Sequence, residues 1–338
     1  MHRVIAENDV ADTSFDAEEM QTILQQMVRA RTFDERAVSL QRRGWMSGYP
    51  PFKGQEASQV GGAYALQETD WLVPTYRSNA MQLARGVPPS DILRFRRGYP
   101  EYHSDHERPV FPQAVPIATQ TLHAVGIGMA IDYDDSDQAR VLCYLGDGAT
   151  SEGDFHEALN FAGVFDAPVV FFCENNHWAI SLPRDRQTAA PTIAAKADAY
   201  GIEGTRVDGN DPLAVAETVE RALNRAATDE PVLVESLTYR QGPHTTSDDP
   251  ERYRDDVDLP EWRTADPIER FEGYLLDNGV IEDGFVDDVE QQTREQISSA
   301  VDTIEETETE SPEDVFDSVY ADLPPRLQQQ RTHFFPLG

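Results

Sequence analysis

Asp147 stands between Gly146 and Gly148 at the end of one apolar run, and about 30 residues later two amides, Asn175 and Asn176, end another. A glycine turn leaving a strand can cradle phosphate with its backbone N–H groups. A carboxylate in such a turn would repel that phosphate. The conflict disappears if a divalent cation lies between them, held by the carboxylate and bridging to phosphate oxygens. Asp147 and Asn176 therefore read as oxygen ligands of one hard cation, Mg²⁺ by type, with the backbone carbonyl of Trp178 as a third. Other phosphate loops fit worse. A dinucleotide fingerprint needs G-x-G-x-x-G, and a P-loop needs a lysine. Here the glycine after Gly148 is Gly153, and the loop has no lysine. Either half alone would read as a helix cap or a turn. Both halves across one strand–helix–strand unit favour a metal–diphosphate site.

The elements around the pair must bring them together. Ala139 to Leu145 is a short apolar run, 152–165 reads as a helix, and Pro168 to Cys173 is a second apolar run. That unit implies parallel strands joined by a right-handed crossover. Ligands of such sheets bind beyond the carboxyl ends of the strands, which puts Asp147 and Asn176 at one edge. Upstream, Met20, Ile23, Leu24 and Met27 repeat at helical spacing in a helix that Ser14 could cap. Residues 54–68 read as a second helix, and a third follows WLVPTYRS. The small-residue stretch TQTLHAVGIGMAIDY reads as a closely packed buried helix. Downstream come a helix (TIAAKADAYG), a strand near EGTRVDG, a long helix from Pro212 and the strand PVLVESLTYR. The fold class is α/β, a mostly parallel sheet with helices on both faces and helical extensions at both ends. Residues 1–13 read as flexible and 14–338 as a single domain, its core at about 70–280 and an acidic helical extension at about 281–338.

The chain has 61 acidic and 28 basic residues, a net charge of −33, and only two lysines, Lys53 and Lys196. So little basic surface excludes nucleic acid as a partner. Acid spread along the whole chain, with lysine nearly absent, points to a halophilic protein whose self-repulsion is screened by salt. No apolar run is long enough to span a membrane. The N-terminus lacks a basic and apolar leader, so a cytoplasmic location is expected. Cys143 and Cys173 lie in strand-like runs and read as buried hydrophobes rather than a disulfide.

The GDG…NN pairing resembles the thiamine diphosphate motif. Three further blocks carry the likeness: FKGQEASQVGGAYAL leading into DWLVPTYRS, then AVPIATQTLHAVGIGMA, then TYRQGPHTTSDDPERYR. From about Met20 to about Gly279 the chain resembles the alpha subunit of the E1 component of 2-oxo acid dehydrogenase complexes, of pyruvate or branched-chain type. The resemblance implies the thiamine-diphosphate-binding fold, with thiamine diphosphate and Mg²⁺ as cofactors. It also implies an E1 beta subunit in an α₂β₂ heterotetramer, and acyl transfer to a lipoylated E2 acyltransferase. It assigns Tyr76 and Arg77 to the cofactor, with Arg77 on the diphosphate. Val115 and Ile117 would meet the aminopyrimidine ring. Gly148 and Ala149 would offer amides to the diphosphate, and Asp147, Asn176 and the Trp178 carbonyl would hold Mg²⁺. His244 would contact diphosphate or intermediate and assist acyl transfer, its pKa near neutrality suiting proton transfer. Arg240, Tyr253 and Arg254 would order its loop and complete the catalytic set.

Thr119 and Gln120, with main-chain oxygens of Ala114 and Pro116, match a monovalent-cation (K⁺) site of some relatives, although the usual serine is absent. Thr245 stands where some eukaryotic relatives carry a regulatory phosphoserine. Glu174 replaces an arginine of branched-chain relatives. The alternatives are an acetoin dehydrogenase alpha subunit and a non-catalytic regulatory paralogue.

Overall fold

The computed structural model describes residues 1–338 except 6, 9, 100–106, 114, 135–138, 229, 255–258, 307–313, 318–319 and 336–338. Helix α1 (Ala17–Arg42) opens with a capping box between Asp16 and Glu19. The cap is therefore Asp16 rather than Ser14, whose hydroxyl donates to Glu217. Helix α2 (Glu56–Tyr64) and strand β1 (Trp71–Val73) follow. The single helix expected next is two, α3 (Asn79–Ala84) and α4 (Pro89–Arg96). Gly86, at φ +90°, and the prolines after it break the helical path.

The central unit is α5 (Thr119–Tyr133), β2 (Val141–Gly146), α6 (Gly153–Phe165) and β3 (Val169–Asn175). A small hairpin, β4 (Trp178–Ala179) and β5 (Leu182–Pro183), leads to a 3₁₀ turn at Ala194–Tyr200 where a helix was expected. Then come β6 (Glu203–Asp208), α7 (Pro212–Ala226), β7 (Val232–Leu237), α8 (Glu261–Thr264), α9 (Pro267–Asp277) and α10 (Phe285–Glu305). The main sheet has five parallel strands in the order β1-β2-β3-β7-β6.

Alternation along the strands divides the core into two layers. Leu142, Tyr144, Val170 and Phe172 face a layer with α1, α2 and α7. Val141, Cys143, Leu145, Val169, Phe171 and Cys173 face α5 and α6. Both cysteines are free and buried. The acidic α10 packs its Ile297, Val301 and Ile304 stripe toward α1 and α4. Among the described residues no helix is long and apolar enough to cross a membrane.

Two expectations are corrected. The N-terminal segment is tied down rather than flexible. His2 pairs in parallel with Val207 on the edge strand β6, and the amides of Val4 and Ile5 both donate to Asp211 Oδ2 at 2.7 Å. Val4 is fully buried there. Helix α5 is buried on one face only. Leu122, Met129 and Tyr133 are exposed on it, as are Phe161, Val164 and Phe165 on α6.

Candidate active site

The register of the sheet sets the geometry. Gly146 at the end of β2 lies opposite Glu174 of β3, so Asp147 and Asn176 both emerge at the carboxyl edge. They line one cavity of about 590 Å³, within the usual range for small-molecule sites. Asp147 is 2% exposed, and burial raises its pKa. A carboxylate held this way gains from a cation beside it. Asn176 is oriented from both ends: its Nδ2 donates to Gln55 Oε1 at 2.8 Å, and its Oδ1 accepts from Trp178 N at 3.2 Å. The amide oxygen keeps a second lone pair for a metal. Asn175 turns away from the cavity and donates to Glu235 on β7 at 2.7 Å. Gly148 has no room for a side chain, since a Cβ would sit 2.7 Å from that of Ala179. Its backbone therefore stays open to the cavity, the cradle that a diphosphate needs.

Arginines line the same cavity. Arg77 is 5% exposed and Arg240 fully buried. Arg77 donates to Pro51 O at 2.5 Å and His244 O at 2.7 Å, and its Nη2 reaches His244 Nδ1 at 3.0 Å. Arg240 donates to Ile180 O at 2.8 Å, Trp178 O at 3.4 Å and His244 Nδ1 at 3.2 Å. The Trp178 carbonyl, expected on the metal, thus faces Arg240. The loop that carries it is strained, with His177 at φ +78° and Ile180 at φ +56°. A β-branched residue in that region is costly and persists only when held.

His244 does not have the near-neutral pKa expected of it. Burial, followed by the charges of Arg77 and Arg240, pushes it down to about 3. The imidazole is therefore neutral, with Nδ1 accepting from the guanidiniums and Nε2 carrying the proton. Its amide donates to Asp248 Oδ2 at 2.6 Å, which also accepts from the Tyr253 hydroxyl at 2.6 Å. Tyr253 and Arg254 stand off the cavity wall. Arg254 instead ties down the carbonyls of Gln241 at 3.0 Å and Gly242 at 2.7 Å. These two residues shape the loop, while His244 and Arg240 reach the cavity.

Tyr76, Val115, Ile117, Gly148 and Ala149 line the same cavity. Val115 and Ile117 are exposed at its mouth. Thr119 donates to Asp154 at 3.0 Å and Gln120 to Tyr144 O at 3.0 Å. Ala114 lies outside the described residues. Glu174 is off the cavity wall, fully buried beneath it, where Tyr144 donates to it. Burial pushes its pKa up to about 8.

A family model described as "Dehydrogenase E1 component" matches residues 24–313. The chain belongs to the dehydrogenase E1 component family. As an E1 chain it is an oxidoreductase of the alpha type. It is 46% identical over 318 residues to a 3-methyl-2-oxobutanoate dehydrogenase subunit alpha of Mycobacterium tuberculosis (strain ATCC 25618 / H37Rv), covering 93% of this chain and 86% of that one. It is 37% identical over 317 residues to a pyruvate dehydrogenase E1 component subunit alpha of Staphylococcus aureus (strain COL), covering 93% and 85%.

Three side chains of this E1 chain escaped the sequence reading. Gln55 orients Asn176, and Gln187 donates to Asp147 Oδ2 at 3.0 Å. Arg263, on α8, donates to the carbonyls of Asn175 and Thr238, each at 2.9 Å. Gln55 lies inside one of the blocks that carried the family likeness. The other two lie in segments with no motif.

Proposed function

We propose that this chain, an alpha-type E1 chain of the 2-oxo acid dehydrogenases, binds thiamine diphosphate through Mg²⁺ at Asp147 and Asn176. With an E1 beta subunit it would oxidatively decarboxylate pyruvate or a branched-chain 2-oxo acid. The acyl group would pass to a lipoylated E2 acyltransferase. The observation that carries this reading is one cavity lined by a buried carboxylate, a fixed amide and two buried arginines that both reach His244. The donor set suits the group. A buried carboxylate and an amide oxygen match a hard octahedral cation that takes its remaining ligands from phosphate and water. The Gly148 cradle and two guanidiniums match a diphosphate.

When bound, the cofactor supplies the carbon that attacks the 2-oxo group and accepts the electron pair released as carbon dioxide leaves. The chain binds and orients. Asp147 and Asn176 would hold the cation, the Trp178 carbonyl would join them where Arg240 leaves it a lone pair, and Gly148 and Ala149 would face the diphosphate. Val115 and Ile117 would support the ring end. Neutral His244 presents Nε2–H as a donor. Diphosphate charge would offset Arg77 and Arg240 and bring the imidazole back toward its ordinary range, where it can exchange a proton.

An α₂β₂ assembly is supported by the exposed apolar mouth, where Val115, Ile117 and Ile180 are 62%, 44% and 57% exposed, and by the open faces of α5 and α6. A cytoplasmic location is supported by two free thiols. Potassium beside Thr119 and Gln120 is an addition that replacing K⁺ with Na⁺ would test. The deciding experiment is reconstitution. The isolated chain should show no 2-oxo acid decarboxylation, and the chain with its beta subunit should turn over pyruvate or 3-methyl-2-oxobutanoate. Acetoin as the sole substrate would select the acetoin dehydrogenase reading, and thiamine diphosphate binding without turnover the regulatory one.

Halophily is proposed on the net charge of −33. At ~10 mM salt the Debye length grows to about 30 Å and the acids repel across the molecule. Circular dichroism should show loss of structure on dilution. An unchanged spectrum there would refute salt adaptation.

A further inference from the structure

Gln187 is the side chain at the metal end that no motif accounts for. It follows the β4–β5 hairpin and a 3₁₀ turn at Arg184–Arg186, which bring it back onto the Asp147–Gly148 turn. Its Nε2 donates to Asp147 Oδ2 at 3.0 Å and to Leu182 O at 3.1 Å. Its backbone carbonyl accepts from Ser151 Oγ at 3.3 Å. Its Oε1 is buried and has no hydrogen-bond partner among the described residues. That oxygen lies 3.8 Å from where a Cβ on Gly148 would stand.

This arrangement has a chemical consequence for the carboxylate. An amide donates without adding charge, so it steers Asp147 without weakening its attraction for a cation. The donor occupies one lone pair of Oδ2 and fixes the rotation of the carboxylate, which leaves Oδ1 the less encumbered oxygen for a metal. Monodentate binding suits Mg²⁺, which demands near-ideal octahedral geometry and keeps several waters. Ca²⁺ readily takes both oxygens of a carboxylate.

We propose that Gln187 is a positioning residue for the divalent cation: it engages Oδ2 of Asp147 and so turns Oδ1 toward the metal. The proposal rests on the reading that this cavity holds a divalent cation with thiamine diphosphate.

The test is Mn²⁺ titration of the full chain with its beta subunit and thiamine diphosphate, followed by electron paramagnetic resonance, with Mg²⁺ and Ca²⁺ as competitors. Gln187→Leu keeps the bulk and removes the donor. It should weaken Mn²⁺ binding about 10- to 100-fold, the usual cost of losing a partner behind a metal ligand. It should also move the Mg²⁺/Ca²⁺ preference toward Ca²⁺. Gln187→Glu keeps the length but cannot donate at neutral pH, and it should move the preference the same way, which covers the case where the leucine variant does not fold. A residue that only braced the hairpin would lower thermal stability and leave cation choice alone. Mn²⁺ affinity within about twofold of the unsubstituted protein, with the Mg²⁺/Ca²⁺ preference unchanged, would overturn the proposal while leaving the cofactor reading intact. Absence of thiamine-diphosphate-dependent Mn²⁺ binding in the unsubstituted protein would overturn both.

Discussion

Asp147→Ala is expected to abolish Mg²⁺-dependent thiamine diphosphate binding and to lower reconstituted 2-oxo acid decarboxylation by roughly 100-fold or more. Charge stabilisation at a bound metal is worth several kcal/mol, and each 1.4 kcal/mol is about tenfold. The effect on the empty protein should run the other way. Burial raises the pKa of Asp147, so its ionised form opposes folding while no cation is present. Sign follows from linkage. A carboxyl whose folded pKa is raised binds more protons folded than unfolded, so the stability it contributes is present at low pH and is lost as pH rises. The alanine variant without cofactor should therefore melt no lower than the parent at neutral pH, and Mg²⁺ with thiamine diphosphate should no longer raise its melting temperature. Asp147→Asn keeps the shape and removes the charge, and it should share the binding defect. Calorimetry showing near-normal cofactor affinity in either variant would remove Asp147 from the metal.

Arg240→Met is the second large effect. This one buried side chain reaches the carbonyls of Trp178 and Ile180, the Tyr253 hydroxyl and His244 Nδ1. It therefore holds the strained 177–180 loop and the His244 loop together. A hydrogen bond from a charged group is worth about 1.5–3 kcal/mol, so loss of one organising contact predicts roughly a 10- to 100-fold fall in cofactor affinity. Global stability should change less. Burial, and then the charge of Arg77, push the Arg240 pKa down to about 10, so removing the guanidinium also relieves a desolvated, like-charged pair. A second readout concerns His244. With one of its two cationic neighbours gone, its pKa should rise from about 3 toward the ordinary 6.5. In the parent, protonation opposes the folded loop as pH falls from about 6.5 to about 3. In the variant that window should narrow. Imidazole resonances followed by NMR titration would show it, and an unshifted His244 would mean that burial and Arg77 set its pKa without Arg240.

What sequence could show here depended on spacing. Asp147 and Asn176 were legible because one strand–helix–strand crossover converts about 30 residues of separation into shared position at a sheet edge. The two apolar runs were legible because β2 and β3 are buried on both faces. Strand β1 was not, since three residues are too few for any periodicity to appear. Gln187 and Arg263 were not, because their contacts depend on where a hairpin and a four-residue helix return to the sheet. The His244 pKa was misjudged for a related reason. Its depression comes first from burial and then from Arg77, 167 residues away, on its ring nitrogen. The exposed face of α5 follows from another limit: small apolar residues read alike whether they pack inside the chain or await a partner.

The docked N-terminus bears on how the molecule is made. Val4 finds its hydrogen-bond acceptor 207 residues further along, in Asp211. At about 5–20 residues per second of synthesis, Val4 waits roughly 10–40 s for that acceptor to exist. The strap therefore cannot guide the early chain. It closes over β6 after Asp211 has emerged, so residues 2–5 are among the later pieces to settle.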